Sequence, residues 1–396
     1  MQPCDKIPVL LLTGYLGSGK TTLLNRILSN RKGIRFAVIV NDIGEVNIDA
    51  ELIQKGGVVA QQDDNLVALQ NGCICCSLKM DLVQQLRDLC AANTFDYIVI
   101  EASGICEPAP IAQTIASYTS MVPASSAPVP QLDAVVSVVD ALRLRDEFMV
   151  QLADLSNVFD RSDLSELVIN QIEFCNLILL NKVSEISEEE RKHIRAIIRA
   201  IQPKAKIIDC DYCDVPFGEI LDTELFDFEE VATSAAWIQG VEGDVEEEHD
   251  HHHEHHHSHH HECDDPHCHC HNHGDEYGIT TFVYYRRKPF DLNRFDEFVA
   301  RHWDKGIIRC KGMCYFEDEY DMCYLFEQAG KQFDLKQAGT FYATMPEEEL
   351  MQLMARDPML QRDWDEQYGD RMQKLVFIGQ NIDRDAITKA LDDCLV

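Results

Sequence analysis

The chain has 396 residues, 45% of them hydrophobic, and a formal net charge of −33. That length fits two or three domains with ordinary cores. The acidic balance argues against a nucleic-acid binder, which needs clustered Lys and Arg. No apolar run approaches the ~18 residues of a membrane span, and the first residues lack a signal-peptide pattern, so no membrane partner and a cytoplasmic location are expected.

Taken in order, the first half alternates short apolar runs with helical patterns. Strands are expected at 9–13, 36–41, 58–60, 97–101, 134–140, 177–181 and 206–209, with helices at 82–91 and 188–201 among them. This predicts an α/β fold, a P-loop type of doubly wound, largely parallel sheet with helices on both faces. The proline-bearing stretch 121–132 reads as a surface loop. Residues 242–276 hold twelve acidic residues and fourteen histidines but no Lys or Arg. Such a segment buries no core and reads as a disordered linker. The expected organisation is therefore 1–235 as a nucleotide-binding domain, 236–276 as the acidic His-rich linker, and 277–396 as a smaller α+β domain. In the last, strands are expected at 279–285, 307–316, 322–327 and 372–378. Helices are expected at 292–302, 346–355 and 384–395.

The first run leads into Gly14-Tyr15-Leu16-Gly17-Ser18-Gly19-Lys20-Thr21-Thr22 and then a helical pattern. Strand, glycine turn and helix are the context that a G-x-x-x-x-G-K-[ST] phosphate loop requires. Gly14, Gly17, Ser18 and Gly19 turn backbone N–H groups toward phosphates, and the helix N-terminus adds partial positive charge. Lys20 reaches the β/γ-phosphates, Thr21 offers its hydroxyl to Mg²⁺, and Thr22 completes the loop. The run 97–101 ends in Glu101, a carboxylate suited to the Mg²⁺ shell, and Gly104 follows with a backbone N–H for the γ-phosphate. Asn181-Lys182 begins a base-reading N-K-x-D pattern, but position 184 is Ser. A neutral hydroxyl accepts at most one of the two guanine N–H bonds, and Glu185 is one stand-in.

Gly72-Cys73-Ile74-Cys75-Cys76 places three thiols in four residues, three legs of a tetrahedral site for a soft or borderline cation. Redox thiols are the alternative. The fourth ligand comes from elsewhere, Glu45 or a client protein's own side chain. The motif lies in sequence between the phosphate loop and Glu101, where γ-phosphate-sensing switches lie. The tract 249–273, with Cys263, Cys268 and Cys270 inside it, reads as a weak multivalent metal binder or an inert spacer. Cys4, Cys90, Cys106, Cys175, Cys210, Cys213 and Cys394 are scattered and read as packing residues. Cys310, Cys314 and Cys323 read as packing, with a further metal site as the alternative.

At these residues the sequence resembles the CobW family of P-loop GTPases in the SIMIBI class, zinc-chaperone type. The resemblance rests on Gly14 to Thr22, on Gly72, Cys73, Cys75 and Cys76, and on Glu101, Ser103 and Gly104. It extends to Val138-Val139-Asp140-Ala141 and to the run from Gly369 to Gly379. It departs at Asp42, where the family carries Glu, and at Ser184, where it carries the base-reading Asp. The resemblance implies GTP, Mg²⁺ and Zn²⁺ as ligands, and hydrolysis of GTP to GDP and phosphate. Lys20, Thr21 and Glu101 would be catalytic, Asn181 and Lys182 would hold the base, and Cys73, Cys75, Cys76 and Glu45 would hold metal. A client apo-metalloprotein is the implied partner, with a homodimer as one arrangement. A cobalt or nickel insertion accessory and a non-enzymatic metal store or sensor are the alternative readings.

Overall fold

The computed structural model describes residues 6–29, 33–41, 66–71, 79–121, 128–150, 162–233, 235, 277–330, 332–355, 360–361 and 364–396. The chain divides into two compact units, 1–236 with 329–332, and 237–328 with 333–396.

The first unit is built on a seven-stranded sheet in the order β3-β2-β4-β1-β5-β6-β7. These are β1 (Lys6–Thr13), β2 (Phe36–Asn41), β3 (Leu66–Asn71), β4 (Tyr97–Glu101), β5 (Val129–Asp140), β6 (Leu177–Asn181) and β7 (Lys206–Cys210). Every neighbouring pair runs parallel. Continuous apolar strands such as Val9 to Leu12 and Ile98 to Ile100 are fully buried, as a sheet covered on both faces requires. On one face Leu10, Leu12, Val38, Val99 and Val136 pack with Leu23, Leu24 and Ile27 of the helix Lys20–Ser29. The helix Glu188–Ile201 starts at a Ser187–Glu190 capping box and buries Ile194, Ile197, Ile198 and Ile201. Parallel pairing puts all C-terminal strand ends on one edge, where ligands of such sheets bind.

One expectation needs correction. β5 begins at Val129, so the stretch read as a loop to 132 pairs with β1 through Pro130 opposite Ile7. Proline is tolerated there because it stands at a strand start. β3 was not expected from the sequence. The expected strand 58–60 lies outside the described residues, as do Glu45, Asp42, the cysteine motif 72–76 and the tract 249–273.

The second unit holds a five-stranded sheet, β11-β10-β9-β12-β8. Its strands are β8 (Ile279–Arg286), β9 (Ile307–Cys314), β10 (Met322–Ala329), β11 (Gln332–Thr340) and β12 (Gln373–Gln380). β12 runs antiparallel to β8 and β9. Its core is aromatic: Phe282 stacks on Phe377 at 5.0 Å and Phe290 on Phe295 at 4.9 Å. Cys310 and Cys314 sit in that core, and burial pushes both thiols up. Cys323 packs in a separate cluster with Tyr315 and Phe341. These positions fit the packing reading. The edge strand β11 was not expected; it is exposed along nearly its whole length, and its apolar alternation stops after Phe333 and Leu335.

Candidate nucleotide site

The phosphate loop leaves β1, flanked in the sheet by β4 and β5, and turns into the helix that starts at Lys20. The turn is possible only with glycine at two positions. Gly14 has φ +136°, and a Cβ there would stand 2.2 Å from the Val138 carbonyl oxygen. Gly19 has φ +118°, and its Cβ would stand 2.6 Å from Asn181 Nδ2 and 2.9 Å from Cys213 Sγ. The loop is thus pressed against the ends of β5, β6 and β7.

Lys20 is 6% exposed and donates from Nζ to the Tyr15 carbonyl at 3.3 Å, folding its ammonium back over the loop. Thr21 Oγ1 donates to Glu101 Oε1 at 3.0 Å, and Glu101 is 1% exposed. The two sequence-predicted Mg²⁺ ligands are therefore side by side. A hydroxyl and a carboxylate form the all-oxygen donor set that Mg²⁺ takes beside substrate phosphates. Ser18 Oγ is buried with no hydrogen-bond partner among the described residues, which fits an anion in the loop. Gly104 follows Glu101 and lies against the loop, its α-carbon facing Leu16 so closely that a Cβ would stand 2.8 Å from it. Beside the loop an open cleft is lined by Tyr15, Leu16, Ser18, Ser137, Asp140 and Arg143. There the Arg143 guanidinium lies 4.0 Å from the Tyr15 ring centroid, a cation–π contact.

The base side is built on the end of β6. Asn181 is 3% exposed; its Nδ2 donates to the Ser18 carbonyl at 2.8 Å, and its Oδ1 accepts the Cys213 N–H at 3.0 Å. One amide thus ties the phosphate loop to the turn after β7. Lys182 follows with φ +64°, and its ammonium pairs with Asp140 at 2.5 Å. Ser184, at the expected place of the base-reading carboxylate, donates from N and Oγ to Asp211 Oδ1 at 3.0 and 2.8 Å. Glu185 makes no such contact; its N–H donates to the Lys182 carbonyl.

The sequence reading missed Asp211, Cys213 and Arg143. Cys213 donates to the Gly19 carbonyl at 3.4 Å and lies beside Cys210, whose Sγ reaches Asn181 Oδ1 at 3.8 Å. The hydrogen bond to Cys210, together with burial, holds the Cys213 thiol up, and the same hydrogen bond draws Cys210 down. The C-x-x-C spacing at the end of β7 was the available signal for Cys213.

Two family models match this chain. "CobW/HypB/UreG, nucleotide-binding domain" matches residues 8–209, and "Cobalamin synthesis protein cobW C-terminal domain" matches residues 279–395. Among curated relatives, a Dictyostelium discoideum protein named zinc-regulated GTPase metalloprotein activator 1 is 33% identical, over 99% of this chain and 80% of that protein. The zinc chaperone YjiA of Escherichia coli is 34% identical over 58% of this chain and 65% of its own length. The zinc chaperone CobW of Pseudomonas aeruginosa is 32% identical over 56% and 61%. With a nucleotide-domain match over half the chain and a relative aligned along nearly all of it, this protein belongs to the CobW/HypB/UreG family of P-loop GTPases, and GTP is its substrate.

Proposed function

We propose that this GTPase is a zinc metallochaperone that carries zinc on Cys73, Cys75 and Cys76, with Glu45 or a client side chain as fourth ligand. It hands the metal to a client apo-metalloprotein under control of GTP hydrolysis. The relatives' names, zinc chaperone and zinc-regulated GTPase metalloprotein activator, support the metal and the client. The observation that carries the coupling is sheet register. Asn41 and Asn71 pair at the ends of β2 and β3, and Val40 pairs with Glu101. The chain therefore leaves β3 toward Gly72 and Cys73 at the same sheet edge where Glu101 meets Thr21.

When bound, Mg²⁺ supplies positive charge that neutralises the β- and γ-phosphate oxygens. Thr21 and Glu101 hold its place. Lys20 moves from the Tyr15 carbonyl onto the phosphates, and the glycine-shaped loop donates N–H groups to charge that develops on the transferring phosphoryl. Asn181 and Lys182 hold the base. Zinc is cargo here, and the histidine tract is a low-affinity collector for it.

If zinc and nucleotide bias one switch, each must change the other's affinity by a common factor, typically about 5–150. The test is zinc affinity against a competing chelator without nucleotide, with GDP, and with a non-hydrolysable GTP analogue, paired with the reciprocal nucleotide titrations. Replacing the three cysteines by Ser should remove the tightest zinc and leave GDP affinity intact. Deleting 249–273 should lower total capacity only. Identical zinc affinities in all three nucleotide states would end the coupled mechanism.

A further inference from the structure

We infer that Asp211, on the turn after β7, is the carboxylate through which this GTPase reads guanine. This rests on the use of GTP argued above. Guanine offers N1–H and a 2-amino group on one edge, and a carboxylate accepts both. Adenine presents there a bare ring nitrogen and no amino group. Serine at 184 is a poorer reader for this purpose, because a neutral hydroxyl makes no charge-assisted hydrogen bond to the two N–H groups.

The structure supplies the missing acceptor from the neighbouring strand. β6 and β7 are in register with Asn181 opposite Cys210, so the next residue, Asp211, comes up beside the turn Val183–Glu185. Ser184 gives both of its donors to Asp211 Oδ1, at 3.0 and 2.8 Å. The usual roles are thereby exchanged: the serine orients and the aspartate is oriented. Oδ2 takes no hydrogen bond from the described residues, and Asp211 forms no ion pair among them. The nearby cations are engaged elsewhere, Lys182 with Asp140 and Arg26 with Asp214. Two residues on, the Cys213 N–H on Asn181 Oδ1 fixes the turn to the phosphate loop. Asp211 is thus held by Ser184 on one oxygen and open on the other, at the place where the base loop ends.

A purely structural role, closing the turn over Ser184, makes a different prediction. Asp211→Asn keeps an oxygen for Ser184 but replaces the second acceptor by an N–H₂ donor. Xanthine carries a carbonyl where guanine carries the 2-amino group, so it suits that donor. The experiment is equilibrium binding of GDP, IDP, XDP and ADP to the full chain and to D211N. Lys20→Ala serves as the variant that loses all four. The unsubstituted protein should prefer GDP to IDP, which lacks the 2-amino group. D211N should lose about 100-fold or more in GDP affinity and gain affinity for XDP, since hydrogen bonds to a charged acceptor are lost. The exchanged pair S184D/D211S should regain preference for GDP. GDP affinity within about threefold of the original in D211N, with no gain for XDP, overturns the assignment to this residue alone. Equal affinity of the unsubstituted protein for ADP and GDP overturns the guanine reading with it.

Discussion

Gly19 is the residue on which three parts of the nucleotide site converge. It precedes the phosphate-binding lysine, and its α-carbon faces both Asn181 Nδ2 and Cys213 Sγ. A methyl group at this position meets two obstacles, a backbone at φ +118° and atoms 2.6 and 2.9 Å away. The left-handed strain alone costs about 1–3 kcal/mol, and the crowding forces Asn181 off the Ser18 carbonyl. Gly19→Ala should therefore abolish measurable GDP binding and lower the unfolding midpoint. Calorimetric titration and thermal unfolding would check this, and unaltered GDP affinity would count against the packing described. Gly14 and Gly19 were legible in the sequence because a phosphate loop demands residue types at fixed spacing. Asp211 was not, because its relation to Ser184 comes from the pairing of β6 with β7. Linear spacing carries no trace of it.

At the scale of elements, β9 and β10 carry an ion pair inside their sheet. Lys311 and Glu327 meet at 2.8 Å with side chains only 14% and 10% exposed. Burial alone would raise the Glu327 carboxyl, but Lys311, with help from Arg309 and Lys336, holds it below the ordinary value. A carboxyl lowered in the folded state contributes stability above its unfolded value of about 4.3. That contribution is lost as pH falls below this value, through the lower folded one. Lys311→Met strands a buried carboxylate, and breaking such a pair costs about 3–5 kcal/mol. The variant should unfold at lower denaturant at pH 7, and the gap to the original should narrow toward pH 3. A gap that does not vary with pH would show that the pair contributes nothing. The strands most legible in the sequence, β1, β4 and β6, are those buried on both faces, where the apolar run is unbroken. β11 escaped because its alternation ends after Phe333 and Leu335, too short to read as a strand, and Lys336 on it is the kind of charge that blunts an exposed edge.

For the molecule as a whole, the arrangement of the first sheet sets the order in which the site comes into being. β1 lies between β4 and β5, and the phosphate loop it carries is closed by residues from the ends of β4, β5, β6 and β7. A chain is made from its N-terminus at about 5–20 residues per second. The phosphate loop therefore leaves the ribosome long before Asn181, Asp211 or Cys213 exists, and it waits on the order of ten seconds or more for them. GTP cannot act as a scaffold for the early part of synthesis; it is a ligand for a sheet already laid down. Ribosome-stalled chains ending after β5 should retain no labelled GDP, and chains extended well past Cys213 should retain it. Retention by the shorter chains would show that the first strand and its loop bind nucleotide alone. The nascent unit consequently passes most of its assembly time without its ligand, and any protection that nucleotide gives against aggregation or proteolysis begins only when β7 has joined the sheet.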